Sequence, residues 1–181
     1  MKMERVDELI ARLKEIEKEL EEEFSKEGER LECDFSMEKI SLLEYIAGAK
    51  LVHLLSAPVI YSMILPALLL DLFVSVYQSI CFPLYGIPSV ARREYIVIDR
   101  HRLPYLNILQ KINCVYCAYF NGLISYTKEI SSRTEQYWCP IRHARHPKGV
   151  SERYLKFIPY GDAENLSRRW QRLRDMLSSK R

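Results

Sequence analysis

The chain has 181 residues, of which 48% are hydrophobic and 28% charged, and its formal net charge of +3 conceals an acidic first part and a basic last part. Residues 1–50 carry 9 basic and 15 acidic side chains, whereas residues 86–181 carry 18 basic and 8 acidic ones. With 6 glycines and no phosphate-binding loop or dinucleotide fingerprint, the sequence argues against a nucleotide-binding fold. It also contains no recognisable DNA- or RNA-binding module, so we expect no nucleic-acid partner.

The acidic first part predicts one long helix over residues 3–31. Its apolar side chains recur at spacings of three and four, as one face of a helix requires. These side chains are Val6, Leu9, Leu13, Ile16, Leu20 and Phe24. Two interpretations stay open: a short coiled-coil handle through which the chain forms a homo-oligomer, or a solvated helix whose stripe rests on the rest of the protein. We assign residues 1–35 to this N-terminal charged helix.

The start of the chain also bears on its five cysteines. Residues 1–32 are charged throughout and contain no apolar core followed by small residues, so they do not resemble a secretory signal. Thiols that are not exported stay reduced. We therefore expect free cysteines that face the cytoplasm or are buried, rather than a disulfide framework.

An apolar run over residues 51–85 is the most distinctive feature of the sequence, and only His53 and Asp71 in it can ionise. A helix needs about 20 apolar residues to cross a bilayer. The run, assigned with its flanks to residues 45–88, therefore predicts a membrane-embedded segment. Because a charge inside a membrane helix is costly, Asp71 should pair with His53 or with an arginine.

This apolar run is interrupted at Pro58 and Pro66, and proline kinks or breaks a helix. Two membrane geometries stay open. One is a single tilted and kinked span, and the other is a re-entrant hairpin that turns near Pro66. The alternative to both is a buried helix pair inside a soluble domain.

Charges beside the apolar run indicate its orientation. Arg92, Arg93, Arg100 and Arg102 follow it closely, and the positive-inside rule places such a flank in the cytoplasm. A single span would leave the acidic N-terminal helix outside, with no signal to take it there. We therefore favour the hairpin, with both flanks cytoplasmic. The same basic cluster, together with Asp99, could instead bind an anion or a lipid headgroup.

Residues 89–150 form a Cys- and His-bearing helical core. Residues 94–99 are rich in β-branched side chains and predict a short strand or an extended linker. Residues 104–136 predict a second long helix, with Pro104 in the first helical position, where proline is tolerated.

Residues 151–181 form a basic tail, in which residues 162–178 predict a final helix with Asp162 as its N-cap. One stripe of this helix is apolar and arginines lie beside it. Basic amphipathic helices of this kind lie on anionic membranes. The apolar stripe consists of Leu166, Trp170, Leu173 and Leu177.

Cys114, Cys117, Cys139 and His143 follow the spacing C-x2-C-x21-C-x3-H. Three thiolates and one imidazole form a complete tetrahedral ligand set for zinc, and the same set can bind iron or an iron–sulfur cluster. We therefore predict a metal cofactor, provided that the chain folds back along the helix after Trp138. Two alternatives stay open: the cysteines only pack, or Cys114 and Cys117 carry out thiol redox chemistry.

Several short motifs lie close together between residues 66 and 146. They are Ile98-Asp-Arg-His-Arg102, Asn113-Cys-Val-Tyr-Cys117, Asn121-Gly122 and Arg133-Thr-Glu-Gln-Tyr-Trp-Cys-Pro-Ile-Arg-His-Ala144. In this region the chain resembles a family of uncharacterised bacterial membrane proteins. The resemblance implies a membrane location and a bacterial source, and it brings no activity that can be carried over.

Together these features predict a mainly α-helical protein of the bacterial inner membrane, with the lipid bilayer as its partner. Three function classes stay open. The first is a metal-site protein that serves electron transfer or metal handling, and the second is a membrane thiol-disulfide oxidoreductase that uses Cys114 and Cys117. The third is a non-catalytic membrane scaffold or assembly factor.

Overall fold

Helices account for nearly all the regular structure of the chain. The computed structural model describes residues 2–31 and 41–178, which are mainly helical (73% helix) and contain no strand. The chain divides into two compact units, Met1–Lys39 and Ile40–Arg181. The predicted helical class is therefore confirmed.

The first unit contains a single helix, α1 (Lys2–Leu31). Ion pairs one turn apart line its surface, such as Arg12 Nη2 to Glu8 Oε1 at 2.8 Å, and each adds about 0.2–0.5 kcal/mol to helix stability. Nothing in the described part of this unit shows a coiled coil. Exposed apolar side chains follow one stripe of α1: Leu9, Leu13, Ile16, Leu20 and Phe24.

The apolar run of the second unit forms one nearly continuous helix. A short helix, α2 (Leu42–Ala47), precedes α3 (Leu51–Ser62) and α4 (Ile64–Tyr85). Only Met63 separates α3 from α4, and its φ of −63° and ψ of −13° are still right-handed helical. Leu51–Tyr85 is thus a single 35-residue helix, with a mean hydropathy of 2.2, that is long and apolar enough to cross a membrane.

The backbone corrects the predicted re-entrant hairpin. A hairpin requires the chain to reverse near Pro66, yet α4 runs through Pro66 without a reversal. Pro66 removes one backbone N–H donor, but the chain continues as a helix on both sides of it. The N–H of Ala67 still reaches the carbonyl of Met63, at 3.2 Å. The described backbone is one continuous helix and not a hairpin.

The longest helix of the second unit, α6 (Ile108–Trp138), runs parallel to α4. The contacts between the two helices advance in the same direction along both. In α3, just before α4, the carbonyl oxygen of Ile60 accepts a hydrogen bond from Tyr116 Oη at 2.7 Å. In α4, Asp71 Oδ2 accepts one from Tyr119 Oη at 2.9 Å. At the other end, the ring of Tyr85 stacks on that of Tyr137, with centroids 5.4 Å apart. The chain must therefore travel back along the pair between the end of α4 and the start of α6.

Residues 86–107, the connector, make this return. The connector contains one helical turn, α5 (Arg92–Tyr95), and one 3₁₀ turn (Arg100–Arg102), and both turns pack on α6. The linker predicted over residues 94–99 is extended only from Ile96 onward, because α5 occupies its first two residues.

The start of α6 is set by a capping box. The side chain of Asn107 accepts a hydrogen bond from the N–H of Gln110 at 2.9 Å, and the Gln110 side chain accepts one from the N–H of Asn107 at 2.9 Å. These two bonds pair donors that a helix N-terminus otherwise leaves free. The helix therefore begins at Ile108, four residues after the predicted start at Pro104.

The core of the second unit lies between α4, α6 and the connector. Gly122 lets the connector cross α6 closely: a Cβ atom there would lie 2.5 Å from the carbonyl oxygen of Tyr95 and 2.8 Å from the Cα of Ile96. Since carbon atoms do not approach backbone atoms so closely, only glycine permits this crossing. The buried apolar side chains of the core are Ala67, Phe82, Ile87, Val90, Leu123, Tyr126 and Ile130.

The last helix, α7 (Leu166–Ser178), docks on α6. Leu173 and Leu177 are buried, and Gln136 Nε2 donates to the carbonyl oxygen of Leu173 at 2.7 Å. The apolar stripe of α7, which the sequence predicted to lie on a membrane, thus packs against α6. The helix begins four residues after Asp162, the expected N-cap.

Replacing Gly122 with alanine should destabilise the second unit, because the new methyl group would lie against the backbone of the connector. Overpacking of this kind typically costs about 1–3 kcal/mol. The midpoint of thermal unfolding measures the effect. Ser125→Ala, at an exposed position of the same helix, is the matched control and should stay within about 0.5 kcal/mol of the parent chain. Equal midpoints for the two variants would contradict the close crossing.

Candidate functional site

The four predicted metal ligands lie at two separate places. Cys114 and Cys117 occupy the first third of α6, the former half-buried and the latter exposed. Cys139 is exposed and caps the end of α6, and His143 follows it. Cys139 comes 22 positions after Cys117, which corresponds to about 33 Å of helix.

The prediction of a metal cofactor is wrong. In residues 2–31 and 41–178, no group of three or more His, Cys, Asp or Glu side chains could hold a metal ion. The four predicted ligands cannot converge because α6 is one uninterrupted helix between Cys117 and Cys139. The chain after Cys139 packs on the C-terminal half of α6 instead, as shown by Ser132 Oγ, which donates to Ser151 Oγ at 2.6 Å. Neither zinc, iron nor an iron–sulfur cluster finds its ligands in the described chain.

His143 has a different role, in the packing of the tail. Its backbone N–H donates to Tyr154 Oη at 2.7 Å, its Nδ1 lies 3.0 Å from the same oxygen, and the two rings stack. Burial raises the pKa of the nearby Glu135 carboxyl, and the charge of His143 partly opposes that rise. The imidazole therefore belongs to a structural cluster rather than to a set of ligands.

Asp71, the acidic residue within the apolar helix, has an arginine partner as predicted. Arg92 Nη2 donates to its Oδ2 at 2.6 Å, and Arg92 Nε donates to its Oδ1 at 3.3 Å. Tyr119 Oη also donates to Oδ2, at 2.9 Å, and Ser75 Oγ donates to Oδ1, at 3.3 Å. This network joins α4, α6 and the connector at one point.

A second charged network holds the first residues of the connector. Glu129 accepts hydrogen bonds from Arg133 Nε at 2.8 Å and from Arg153 Nη1 at 2.7 Å. Arg133 Nη1 also donates to the carbonyl oxygens of Pro88 at 2.6 Å and Ser89 at 3.2 Å. Both networks use their charges to fix the backbone, so neither presents a free acid or base.

One side of α4, which we call the outward face, has no partner among the described residues. Its side chains are 47–74% exposed and recur at spacings of three and four. Residues that pack on α6 and the connector, such as Ala67, Asp71 and Gln78, lie on the opposite side. Only 6% of the most apolar window of this helix is buried, so the described chain does not form a buried helix pair around it. The outward face consists of Leu65, Leu68, Leu69, Leu72, Phe73, Val76, Ile80 and Leu84.

Aromatic rings and an arginine gather at the end of α4. Tyr85 contacts both Tyr137 and Trp138, and the guanidinium of Arg174 lies 4.5 Å above the Tyr137 ring. Trp170 Nε1 donates to the Tyr137 carbonyl at 3.1 Å. Trp138 remains half exposed. Tyr, Trp and Arg in combination are typical of a membrane–water boundary.

An open groove of about 450 Å³ adjoins the outward face between α4 and α6. Its hydroxyl groups bond to each other, Tyr77 Oη lying 3.1 Å from Thr134 Oγ1, so the groove presents a mainly apolar wall. Phe73 belongs both to the groove and to the outward face. The lining side chains are Phe73, Val74, Tyr77, Ile130, Ser131, Thr134, Glu135 and Trp138.

No family model, curated protein or solved structure matches this chain. The candidate site is therefore defined by its own geometry.

Periodicity did not identify the outward face, because α4 is apolar on its packed side as well. The signal that could have found it is the spacing of the polar residues. Asp71 and Gln78 are seven positions apart, about two helical turns, and so mark one side of the helix as the side that meets protein. The role of Arg133 in binding the connector carbonyls has no comparable signal, since its partners are backbone atoms far along the chain.

Arg92→Met should destabilise the unit much more than Arg93→Met. The first change leaves the Asp71 carboxylate without its arginine, at a cost of about 1–3 kcal/mol. Arg93 is the matched control, because it is the exposed neighbour on the same turn. The double variant Asp71→Leu with Arg92→Met should recover most of the loss, since it removes both charges. Equal unfolding midpoints for the two single variants would show that the pair does not hold the connector.

Thiol reactivity in the folded protein should follow exposure. Cys117 and Cys139 are exposed and should react with a maleimide faster than the half-buried Cys81 and Cys114. A chelator should leave all four rates unchanged, and mass spectrometry of the labelled peptides measures each rate separately. Protection of Cys117 and Cys139 that a chelator removes would contradict the separated placement of these thiols.

Proposed function

We propose that the protein is a non-catalytic, membrane-anchored adaptor. In this proposal the helix Leu51–Tyr85 is the anchor, the rest of the second unit is a rigid platform, and α1 is a docking handle. The observation that carries the proposal is the outward face, a row of large apolar side chains on the surface of a unit that packs well elsewhere.

A lipid bilayer is the partner that suits this surface best. α4 is about 33 Å long and a helix is about 10 Å wide, so the outward face covers roughly 300 Å². Transfer of that area out of water would stabilise the bound state by roughly 8 kcal/mol. Exposed apolar patches of this size mark interaction surfaces. The excess of basic side chains in residues 86–181 would add attraction to anionic lipid.

The exposed stripe of α1 suits a second helix rather than lipid, because the remainder of α1 is strongly acidic. A second copy of α1 is the simplest partner, since apolar positions at spacings of three and four can interlock with the same pattern. Self-association through residues 1–35 would then give an adaptor with one membrane face per copy.

For location we propose the inner membrane of a bacterium, with both flanks of the apolar helix cytoplasmic. The arginines of the connector support this orientation through the positive-inside rule. The acidic α1 would then remain on the side of the membrane where it was made.

The thiol oxidoreductase alternative has less support from the geometry. Cys114 and Cys117 lie one turn apart inside α6, where Cβ atoms are about 5–6 Å apart. A disulfide needs a Cβ separation of about 3.5–4.5 Å, so closing this pair would distort the helix. Cys81 and Cys139 lie on different elements and do not supply an evident relay pair.

Membrane partition of a triple variant tests the proposal. Leu68→Gln, Leu72→Gln and Val76→Gln together should move the protein from the membrane fraction to the supernatant, because three outward-facing side chains become polar. Flotation with anionic vesicles and sedimentation of membranes after carbonate treatment provide the measurement.

The matched control changes three exposed leucines of α1, Leu9→Gln, Leu13→Gln and Leu20→Gln. This variant should still sediment with membranes, and it should lose the oligomers that chemical cross-linking traps. If the parent chain stays in the supernatant, the proposed membrane anchor is wrong. If the α1 variant keeps its oligomers, the proposed self-association through α1 is wrong.

A further inference from the structure

We infer that α4 lies along the surface of an anionic bilayer with only its outward face in lipid, instead of crossing the bilayer. The inference rests on the proposed membrane anchor and specifies how that anchor meets lipid. It follows from what lies beside α4 and from which of its sides is free.

A short charged segment of the connector lies beside the middle of the apolar helix. Asp71 is three positions from the centre of Leu51–Tyr85, so in a helix standing across the bilayer it would lie within about 5 Å of the midplane. Arg92 is bound to Asp71 at 2.6 Å and would lie at the same depth, together with Arg93 and Glu94. All three of these connector side chains are exposed. Lipid-exposed charged side chains are rare in the hydrocarbon region, because each of them is costly there.

A shift of the helix along the bilayer normal does not remove the conflict. Tyr116 of α6 contacts Ile60, and α6 begins eight residues before Tyr116, at Ile108. Because the helices are parallel, the start of α6 lies roughly level with Val52. The connector, residues 86–107, therefore returns from the end of the apolar helix to the level of its start. Nearly every window of about 20 residues contains Asp71 with its bound Arg92. The window that avoids Asp71, residues 51–70, leaves the exposed apolar side chains of Leu72, Phe73 and Val76 outside the lipid.

The polar and apolar side chains of the apolar helix are distributed around it as expected for a helix that lies along the membrane surface. His53, Asp71 and Gln78 are separated by 18 and 7 positions, which are five and about two turns of a helix with 3.6 residues per turn. All three therefore lie on the same side of the helix, which meets protein at Asp71 and Gln78, whereas His53 is exposed. In the same register, α3 continues the outward face with further exposed leucines: Leu51, Leu54 and Leu55.

An anionic bilayer fits this surface better than a second copy of the chain does. The outward face contains no polar group that could fix the register of a symmetric dimer. Residues 86–181 carry ten more basic than acidic side chains, so the platform would repel a copy of itself and attract anionic headgroups. The half-exposed Trp138 lies at the end of the face, where a headgroup boundary would be.

Labelling of single cysteines from each side of the membrane tests the inference. In the full chain with its five cysteines changed to serine, Lys50→Cys reports on the chain before the apolar helix and Arg145→Cys on the chain after α6, whose end lies beside Tyr85. A membrane-impermeant maleimide should label both in inverted membrane vesicles, with a yield ratio near one, and neither in intact cells. Glu44→Cys and Lys148→Cys, both exposed, form a second pair in case one of the first variants fails to fold.

Three outcomes are distinguishable. Labelling of both members of a pair from the cytoplasmic side only is the expected result. Membrane-bound protein whose two positions label from opposite sides has a crossing helix, which overturns this inference and leaves the anchor intact. Protein that stays soluble and forms dimers joined through the outward face has a second copy as its partner, which overturns both.

Discussion

Two consecutive helices can pack in parallel only if the chain between them travels back the full length of the pair. In this protein α4 and α6 are those helices, and residues 86–107 make the return. The rest of the second unit depends on this constraint. The return segment must be held against both helices over its length, and the held segment then occupies the side of α4 that would otherwise be open.

Different contacts hold the connector in place at successive points along its length. Arg133 binds its first carbonyl oxygens, Arg92 binds Asp71, and Gly122 allows its backbone to touch α6. At its last residue, the capping box of Asn107 ends the connector and begins α6. These contacts give α4 one side that is fixed against protein. The other side has no partner in the described residues, and this is the physical basis for the proposed lipid contact.

The sequence predicted the features that depend on neighbouring residues and missed those that depend on distant ones. Helical class, the extent of α1 and the need of Asp71 for an arginine all follow from local pattern and charge. Pro104 predicted the start of α6 less well than the capping box of Asn107 and Gln110 did. Proline is merely tolerated in the first turn of a helix, whereas a capping box provides acceptors for two backbone N–H groups that would otherwise be unpaired. The metal prediction used the right ligand types, but Cys117 and Cys139 lie on one rigid helix that fixes them about 33 Å apart.

The two-sided character of α4 could not be read from periodicity for a related reason. Its packed and outward sides are both apolar, so the sequence shows a long hydrophobic run and not an amphipathic stripe. Length then suggested a crossing helix or a hairpin. Only the course of the connector, which no local signal reveals, distinguishes a helix enclosed by lipid from one that touches lipid along a single side.

Depth measurement along α4 tests the central claim most directly. Spin labels placed one at a time from residue 64 to residue 85, in the protein bound to anionic vesicles, report the depth of each position by paramagnetic relaxation from lipid-phase and aqueous quenchers. A helix on the surface predicts depths that oscillate with a period of about 3.6 residues, deepest at Leu65, Leu69 and Val76. A steady change of about 1.5 Å per residue from one end to the other would contradict the account.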